Sequence, residues 1–335
     1  MARPSEELAL AWSALPIDGD AAPGWRGVPI SRPGALQLRG GRRYPLGLEA
    51  LMARFGAATL PPAQKLPDGL GFTVERASPQ GDGGVWLALT RSQSGGLDLF
   101  SEMARDVADA LDACPADDEP NALRVMLGRV RAWQEFMRKG GGPLSAEKEI
   151  GMVGELNALA SMIALGIPAA AAVEAWTGPI GGVRDFEIGT GAIEVKTTNA
   201  AAGFKARIGS LDQLDDSARQ PLYLAGVRLR EVATGKTLPE AIHAARASVA
   251  DSLRTTELLD DRLLAAGYRD GHADRYSRRF AIEGAKVLHV AEGFPRLTPW
   301  NVPPGVTAAA YDIDFEKAPG ESVGFDGALK KLGAI

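Results

Sequence analysis

The sequence predicts an α/β protein of two domains, and three observations lead to this fold class. A chain of 335 residues with 45% hydrophobic content can form at least one large core and has room for two domains. Short alternating runs typical of strands lie between longer stretches with helical spacing of apolar residues. The segment PADDEP (115–120) interrupts this pattern. We therefore predict a smaller mixed α+β domain at residues 1–118 and a larger domain at 119–335.

The first domain is predicted to contain a hairpin followed by a helix. Alternating residues at 72–76 and 85–90 flank the turn-rich SPQGDGG (78–84), a pattern typical of two paired strands. Apolar residues then recur at helical spacing after Asp98. These residues are Phe100, Met103, Val107 and Leu111.

The second domain is predicted to begin with two helices. The first runs from Asn121 to Lys139 and ends at a run of glycines. The second has Ser145 as its N-cap and continues to Gly166, because Pro168 prevents a further turn. The run AAVEAW (171–176) is interpreted as extended.

Strand and helix patterns alternate in the rest of the chain. We predict a hairpin at 184–198, a short helix at 210–216 and an apolar strand at 221–229. Two further helices, from Thr237 to about Arg254 and from Thr256 to Ala266, lead into three strand-like segments: RRFAIEG, KVLHVAEG and TAAAYDIDF. The order helix, strand, strand, strand, helix, strand predicts a sheet flanked by helices.

Composition argues against several classes of protein. A single cysteine, Cys114, excludes a disulfide framework, and His243, His272 and His289 are too far apart for a local zinc cluster. The net charge of -5 argues against a protein that coats nucleic acid non-specifically, although a local basic face can still hold a phosphate backbone. Charge alone therefore leaves the partners open.

The amino-terminal residues do not have the pattern of a signal peptide. Glu6 and Glu7 interrupt the short apolar run, and no later run is long enough to span a bilayer. We therefore expect a cytoplasmic protein with no membrane partner.

The segment RDFEIGTGAIEVKTT (184–198) concentrates charged residues in one predicted hairpin. With Gly189 and Thr190 as a two-residue loop, Asp185 lies opposite Glu194, and Lys196 shares their face. With a three-residue loop, Asp185 instead opposes Val195 and its carboxylate points away from the other two charges. The two registers predict a functional site and an ordinary amphipathic ribbon, respectively.

In the two-residue register, two like charges face each other, which destabilises a strand pair unless something offsets the repulsion. A magnesium ion would do so, because it binds through one or two carboxylates, waters and substrate phosphates. Lys196 would then hold or deprotonate the attacking water. Glu155 offers a third carboxylate, because it lies within an apolar helical stripe. The alternative is that Glu155 lies at the edge of the stripe and extends into water.

A resemblance follows from these elements. The helix with Glu155, Asp185 on one strand, Glu194 to Lys196 on the next, and the segment with Gln213 resemble the core of the PD-(D/E)XK nuclease superfamily. More narrowly, the chain is similar to a bacterial family of PD-(D/E)XK motif proteins that is mostly of unknown function. The residues that carry this similarity are GMVGELNAL, AWTGP, RDFEI, IEVKTT, SLDQL and PLYL. The resemblance implies a restriction-endonuclease-like fold, with a mixed central sheet flanked by helices.

The resemblance also implies roles for individual residues. Asp185 would be the central metal ligand, Glu194 the second, and the Val195 carbonyl would complete the protein ligands. Lys196 would be the catalytic lysine and Glu155 the helix carboxylate that joins the metal site. Gln213 matches a glutamine that some branches carry after the motif. One departure is Arg184, which stands where the name of the motif has proline.

The function implied is magnesium-dependent hydrolysis of DNA, with Mn²⁺ as a substitute ion, by the nuclease component of a bacterial restriction or anti-phage defence system. DNA and other subunits of that system are the expected partners, and double-strand cleavage would favour a homodimer. The candidate DNA contacts are Lys205, Arg207, Arg275, Arg278 and Arg279. The alternative function is a catalytically silent DNA-binding or assembly subunit on the same fold.

Several alternatives stay open at this point. The charges of the hairpin fit a solvated face, and Glu187 competes for the ligand role because it shares the face of Asp185. Gln213 also fits a capping box with Ser210. The GKT sequence at 235–237 resembles part of a phosphate-binding loop, but Thr237 and Glu240 make a better capping box. Trp176 and Tyr223 are interpreted as core aromatics.

Overall fold

The computed structural model describes residues 3–17, 22–31, 33–56, 66–79, 85–320 and 322–335. The chain forms two compact units, Met1–Gly141 and Gly142–Ile335. Most of the predicted SPQGDGG turn, residues 80–84, lies outside the described residues. Each unit is described separately below.

The first unit is built on an antiparallel sheet of six strands in the order β1-β2-β3-β6-β5-β4. The strands are β1 (Gly24–Pro29), β2 (Leu38–Tyr44), β3 (Leu48–Phe55), β4 (Asp68–Gly69), β5 (Phe72–Ala77) and β6 (Val85–Arg91). The helices are α1 (Pro4–Ser13), α2 (Leu97–Asp112) and α3 (Glu119–Arg138). The predicted hairpin is confirmed as the antiparallel pair β5 and β6, and the predicted helix after it is confirmed as α2.

Helix α3 belongs to the first unit, which moves the domain boundary. The guanidinium of Arg129 and the indole of Trp133 on α3 both donate to the carboxylate of Asp106 on α2, at 2.6 Å. At the start of α3, the Glu119 carboxylate accepts a hydrogen bond from the Gly56 amide at 2.6 Å. The boundary therefore falls between Gly141 and Gly142 rather than after Asp118, because PADDEP is a connection within one unit.

The second unit is built on a mixed sheet of four strands in the order β11-β10-β8-β7. The strands of this sheet are β7 (Phe186–Ile188), β8 (Gly191–Thr198), β10 (Leu222–Lys236) and β11 (Phe280–His289). Strands β8 and β10 are parallel, and the other two pairs are antiparallel. A separate antiparallel pair is formed by β9 (Lys205–Ile208) and β12 (Tyr311–Asp314).

Helices accompany this sheet, as the sequence predicts. They are α4 (Ala146–Ala164), α5 (Ala169–Ala175), α6 (Leu238–Ala247), α7 (Leu253–Ala266) and α8 (Phe325–Lys331). The second unit is therefore a mixed α/β structure consistent with the predicted PD-(D/E)XK-like fold. None of the helices in the described residues is long and apolar enough to cross a membrane.

The two faces of β8 pack against different cores. Ile193 and Val195 face the core beneath α4, whereas Ala192 belongs to a second core on the opposite face of the sheet. Helix α4 lies very close to β8, since a Cβ atom on Gly154 would stand 1.9 Å from the Thr197 hydroxyl. The alternation of side chains along β8 therefore places Glu194 and Lys196 on the face away from α4.

Some predicted elements differ from the structure. AAVEAW is not extended: most of it forms the end of α5, because a run of alanines has a high helix propensity. Residues 210–216 form turns rather than a helix. The segments RRFAIEG and KVLHVAEG form one continuous strand, β11, and the helix from Thr237 ends at Ala247.

Candidate active site

The hairpin of β7 and β8 has the two-residue register. Phe186 pairs with Ile193 and Ile188 with Gly191, which leaves Gly189 and Thr190 as the loop. Gly189 has a φ of 57°, as the first central residue of a type II′ turn requires. Continuing the register by one residue places Asp185 opposite Glu194, so both carboxylates project from the same face.

Backbone contacts on both sides hold Asp185. Its Oδ2 atom accepts a hydrogen bond from the Val195 amide at 2.7 Å. Its carbonyl accepts from the amides of Thr177 at 2.9 Å and Gly178 at 3.1 Å. A Cβ atom on Gly178 would lie 2.9 Å from Asp185 Oδ1, so this glycine allows the close approach. The TGP segment after Trp176 therefore fixes the position of the central carboxylate.

Glu194 and Lys196 form an ion pair on β8. The Lys196 Nζ atom donates to Glu194 Oε1 at 2.8 Å. Glu194 is only 1% exposed, and its other oxygen, Oε2, is buried and accepts no hydrogen bond. Because a buried carboxylate oxygen without a donor costs free energy, this atom marks a position where a cation would be stabilising.

Trp176 holds the helix carboxylate. Its indole Nε1 donates to Glu155 Oε2 at 2.7 Å, and its ring stacks on Phe186 with centroids 6.3 Å apart. Trp176 is fully buried, so this carboxylate oxygen is directed at the protein rather than at water. The alternative in which Glu155 extends freely into solvent is therefore not what the structure shows.

Glu155 approaches the other two carboxylates from a different side. It lies on α4, which covers the Val195 face of β8, whereas Glu194 is on the opposite face. Strand β7 begins at Phe186, whose partner on β8 is Ile193. From Glu194 onwards, this edge of β8 is therefore not paired with β7. Asp185 lies at this edge. We conclude that Glu155 and Glu194 lie on different sides of this edge, and that the charge of each acts on Asp185.

The charges in this cluster shift the pKa values of its members. Burial raises the pKa of Asp185 well above its ordinary value, and the neighbouring charges of Glu194 and Glu155 raise it further. Burial acts to lower the pKa of Lys196, but the charge and hydrogen bond of Glu194 outweigh burial and raise it. Lys196 is therefore a firmly protonated cation here, which suits it to orienting a water or balancing charge rather than to removing a proton.

The donor set fits a hard divalent cation that keeps several waters. Among the described residues, no group of three or more His, Cys, Asp or Glu side chains converges in a geometry that could hold a metal ion by itself. Magnesium does not need such a cage, because one or two carboxylates suffice when water and substrate oxygens complete the shell. Asp185 and Glu194, through its buried Oε2 atom, are the two carboxylates that would hold such an ion. The Val195 carbonyl leaves the strand on the same edge as the amide that binds Asp185.

Three other residues of the motif region have local roles. Gln213 Oε1 accepts from the Gly209 amide at 2.6 Å, one residue before the Ser210 amide that a capping box would use. Glu187, the competing ligand, forms an ion pair with Arg219 at 3.1 Å. Arg184 donates to the carbonyl of Asp215. Arg184 thus ties the hairpin to the segment that contains Gln213.

The candidate DNA contacts fall into two groups. Lys205 and Arg207 are exposed on β9, where they alternate with buried residues, and Arg275 is also exposed. Arg278 instead pairs with Glu149, at 2.5 Å, and Arg279 pairs with Glu240, at 3.0 Å. The first three side chains therefore remain candidates for phosphate contacts, whereas the last two help to hold β11 against α4 and α6.

The remaining alternatives of the sequence are resolved by local contacts. Thr237 and Glu240 make both hydrogen bonds of a capping box, at 3.3 and 2.9 Å, and Lys236 is the last residue of β10. The capping-box interpretation is confirmed. Trp176 and Tyr223 are confirmed as buried core residues. The hydrogen bond from Trp176 to Glu155 was not predicted from the sequence, although Trp176 lies in the AWTGP motif.

A PD-(D/E)XK-like fold with an acidic hairpin and a lysine defines a class of nuclease-like proteins, and the family comparison agrees with this class. The family model described as "Putative PD-(D/E)XK family member, (DUF4420)" matches residues 8–316, and the chain belongs to this family. No curated protein and no solved structure gives a match.

Proposed function

We propose that this protein is a magnesium-dependent nuclease that hydrolyses phosphodiester bonds of DNA. One observation carries the proposal: the hairpin register brings Asp185 opposite Glu194 and leaves a buried Glu194 oxygen without a hydrogen-bond donor. A hairpin selected only for stability has no reason to place like charges opposite each other. A cation site explains both features.

The side chains would divide the work by position. Asp185, Glu194 and the Val195 carbonyl would hold Mg²⁺, with Mn²⁺ as a substitute. When bound, this ion would polarise the scissile phosphate and activate a water. Lys196 would orient that water or stabilise charge on the phosphate through its protonated Nζ atom. Glu155 would accept hydrogen bonds from ordered water at the edge of the site, with Trp176 fixing its carboxylate.

Cleavage of DNA by wild type and matched variants tests this proposal. The substrates are supercoiled plasmid, linear duplex and single-stranded DNA, each with Mg²⁺ or EDTA. We expect cleavage only with the metal, and a loss of roughly 100-fold or more in Asp185→Asn and Glu194→Gln. Glu187→Gln is the control, because it neutralises a carboxylate of the same hairpin that pairs with Arg219 instead. Full activity in Asp185→Asn would reject the site.

A second candidate is a catalytically silent DNA-binding or assembly subunit. The contact that favours it is the Lys196 to Glu194 pair, which occupies one carboxylate oxygen without any ion. Calorimetric titration with Mg²⁺ separates the two candidates. Binding that disappears in Asp185→Asn supports a metal site. If wild type and this variant instead show the same weak heat, the silent subunit is the better description.

The biological setting proposed is a bacterial restriction or anti-phage defence system, in which further subunits select the DNA. This setting rests on the resemblance to restriction enzymes and repair nucleases within the superfamily. Loss of protection against phage in a strain that carries Asp185→Asn, with protection retained for Glu187→Gln, is the expected result. Equal protection by both variants would contradict a nuclease role in defence.

A further inference from the structure

Trp300 has an unusual environment for a tryptophan. Its side chain is 79% exposed, whereas Trp12, Trp86, Trp133 and Trp176 are buried and Trp25 is half-buried. Tryptophan is highly buried on average, since its ring carries a large apolar area. Leu297 and Val306 in the same connection are also exposed. An exposed indole face of this size is available for stacking or apolar contact with a ligand.

The backbone displays Trp300 at a defined position. Residues 298–301 form a β-turn in which the Asn301 amide donates to the Thr298 carbonyl at 3.2 Å. Pro299 takes the second position of the turn, which its fixed φ favours. The Asn301 side chain closes the turn, because it accepts from the Thr298 amide at 2.7 Å and donates to the Arg296 carbonyl at 2.8 Å. Because these hydrogen bonds already order the turn, its third residue, Trp300, loses little further backbone entropy when it binds a ligand.

The same loop is fastened to the segment that supports the candidate active site. Arg296 donates to the Leu214 carbonyl and pairs with Asp216, both at 2.9 Å. Arg184, the neighbour of Asp185, donates to the Asp215 carbonyl between them. Residues 214–216 therefore connect the Trp300 loop with the catalytic hairpin.

Tyr311 provides a second connection. Its hydroxyl accepts from the Leu297 amide at 2.9 Å, which ties the Trp300 loop to the first residue of β12. A groove of about 560 Å³ lies at this place, and its wall includes Arg296, Leu297 and Tyr311 as well as the charged residues Asp312, Asp314 and Lys317. Its volume is in the range of small-ligand sites and can accept one unstacked nucleotide.

The charges beside the groove suit a phosphate backbone. Lys205 and Arg207 project from β9, which pairs with the strand that begins at Tyr311. The acidic residues of that strand are balanced, because Asp312 pairs with Arg207 at 3.3 Å and Asp314 with Lys317 at 2.9 Å. Arg207 is thus engaged by Asp312, and the exposed Lys205 is the side chain of β9 that we expect to meet a phosphate of the DNA.

We propose that Trp300 is a stacking platform for one base of the DNA strand held at the candidate active site. This proposal rests on the proposed function, since it takes the scissile strand as the ligand. An aromatic face binds any base by stacking, so the platform gives affinity and position without sequence preference. The groove beside Leu297 and Tyr311 then receives the nucleotide next to the scissile phosphate.

Binding of a fluorescein-labelled DNA with a single-stranded overhang tests the platform. Fluorescence anisotropy is measured with Ca²⁺ in place of Mg²⁺, so that binding is separated from cleavage. Trp300→Phe keeps an aromatic face and Trp300→Leu keeps only apolar volume. We expect the Leu variant to weaken binding roughly tenfold or more and the Phe variant to stay within about threefold of wild type. Leu70→Ala, a change at an exposed apolar side chain of the first unit, is the control and is expected to have no effect.

The outcomes separate this proposal from the nuclease proposal. Wild-type binding and cleavage by Trp300→Leu would overturn the platform and leave the nuclease intact. Binding that depends on Trp300 without any cleavage in Mg²⁺ would support the platform and reject hydrolysis. An equal loss in the Phe and Leu variants would reject stacking, and absence of DNA binding by wild type would overturn both proposals.

Discussion

Both units of the molecule bury charged clusters around a glutamate, and the two clusters are balanced differently. In the first unit, Glu49 is 6% exposed and both of its oxygens are held by guanidinium groups, those of Arg42 and Arg91, each at 2.6 Å. Arg42 also donates to the carbonyls of Trp12 and Gly47. In the second unit, the three carboxylates of Asp185, Glu194 and Glu155 act on Lys196, and Arg184 is a second cation near Glu194. The first cluster is complete in the folded chain, whereas the second carries excess negative charge.

The pKa directions express this difference. Burial acts to raise the pKa of Glu49, but hydrogen bonds from Arg91 and Arg42 lower it below its ordinary value. For Asp185, burial and neighbouring carboxylates act in the same direction and raise the pKa. An unbalanced buried cluster costs stability, and the cation site that we propose would offset this cost in the second unit.

Replacing the central glutamate of each cluster by glutamine should give the largest difference between the two units in the free energy of unfolding. Glu49→Gln leaves Arg42 and Arg91 without their carboxylate, and breaking a buried pair in this way costs about 3–5 kcal/mol. Glu194→Gln also breaks a buried pair, with Lys196, but it relieves the repulsion with Asp185, so we expect a smaller loss than in Glu49→Gln. Urea unfolding in EDTA measures both, and a larger loss in Glu194→Gln would contradict the comparison.

Magnesium should stabilise only the second cluster. At a concentration 100-fold above its Kd, a ligand that binds only the folded state adds about 2.7 kcal/mol to the free energy of unfolding. We expect a gain of this kind in wild type and in Glu49→Asp, and none in Asp185→Asn, whose amide oxygen can still accept from the Val195 amide. The measurement is the thermal unfolding midpoint with and without Mg²⁺. An unchanged gain in Asp185→Asn would place the ion elsewhere.

The pH dependence of stability should have opposite signs for the two clusters. Glu49 has a lowered folded pKa, so its contribution is present above its unfolded pKa, about 4.5, and is lost as the pH falls through the folded pKa. Asp185 has a raised folded pKa, so its contribution is present below about pH 3.8 and is lost as the pH rises through that raised value. In EDTA, Asp185→Asn should therefore gain stability relative to wild type as the pH rises from 4 to 8. A constant difference in urea unfolding across this range would contradict the shift.

Local patterns were sufficient to predict much of the second unit. Ser145 begins α4 because its hydroxyl accepts from the Lys148 amide, a signal that lies within a few residues of the feature it determines. The sequence left two hairpin registers open, because Gly189 and Gly191 both tolerate a positive φ. The structure selects the two-residue loop, with Gly189 at a φ of 57°, and thereby places Asp185 opposite Glu194.

The features that sequence could not predict depend on contacts between distant residues. Residues 210–216 carry a helical pattern, but the carbonyls of Leu214 and Asp215 accept from Arg296 and Arg184, which arrive from elsewhere in the chain. The sequence predicted that the Glu155 carboxylate lies within an apolar helical stripe. It did not predict the hydrogen bond from Trp176, because Trp176 lies outside that helix. The domain boundary was placed too early for the same reason, since α3 is fixed by its contacts with Asp106.

The smallest effect we predict compares two indole hydrogen bonds. Trp176 donates to Glu155 at 2.7 Å in the second unit, and Trp133 donates to Asp106 at 2.6 Å in the first. Replacing either tryptophan by phenylalanine keeps an aromatic ring and removes the hydrogen bond, which should cost about 1 kcal/mol of stability in each case.

Arg129 still holds Asp106 in Trp133→Phe, and that carboxylate has no part in the proposed chemistry. We therefore expect a lower rate of magnesium-dependent cleavage only in Trp176→Phe, by about 10-fold, as for the loss of a residue that positions a ligand group. Rates measured at saturating DNA, with urea unfolding of both variants, check this, and equal rates would show that the indole of Trp176 supports the fold but not the site.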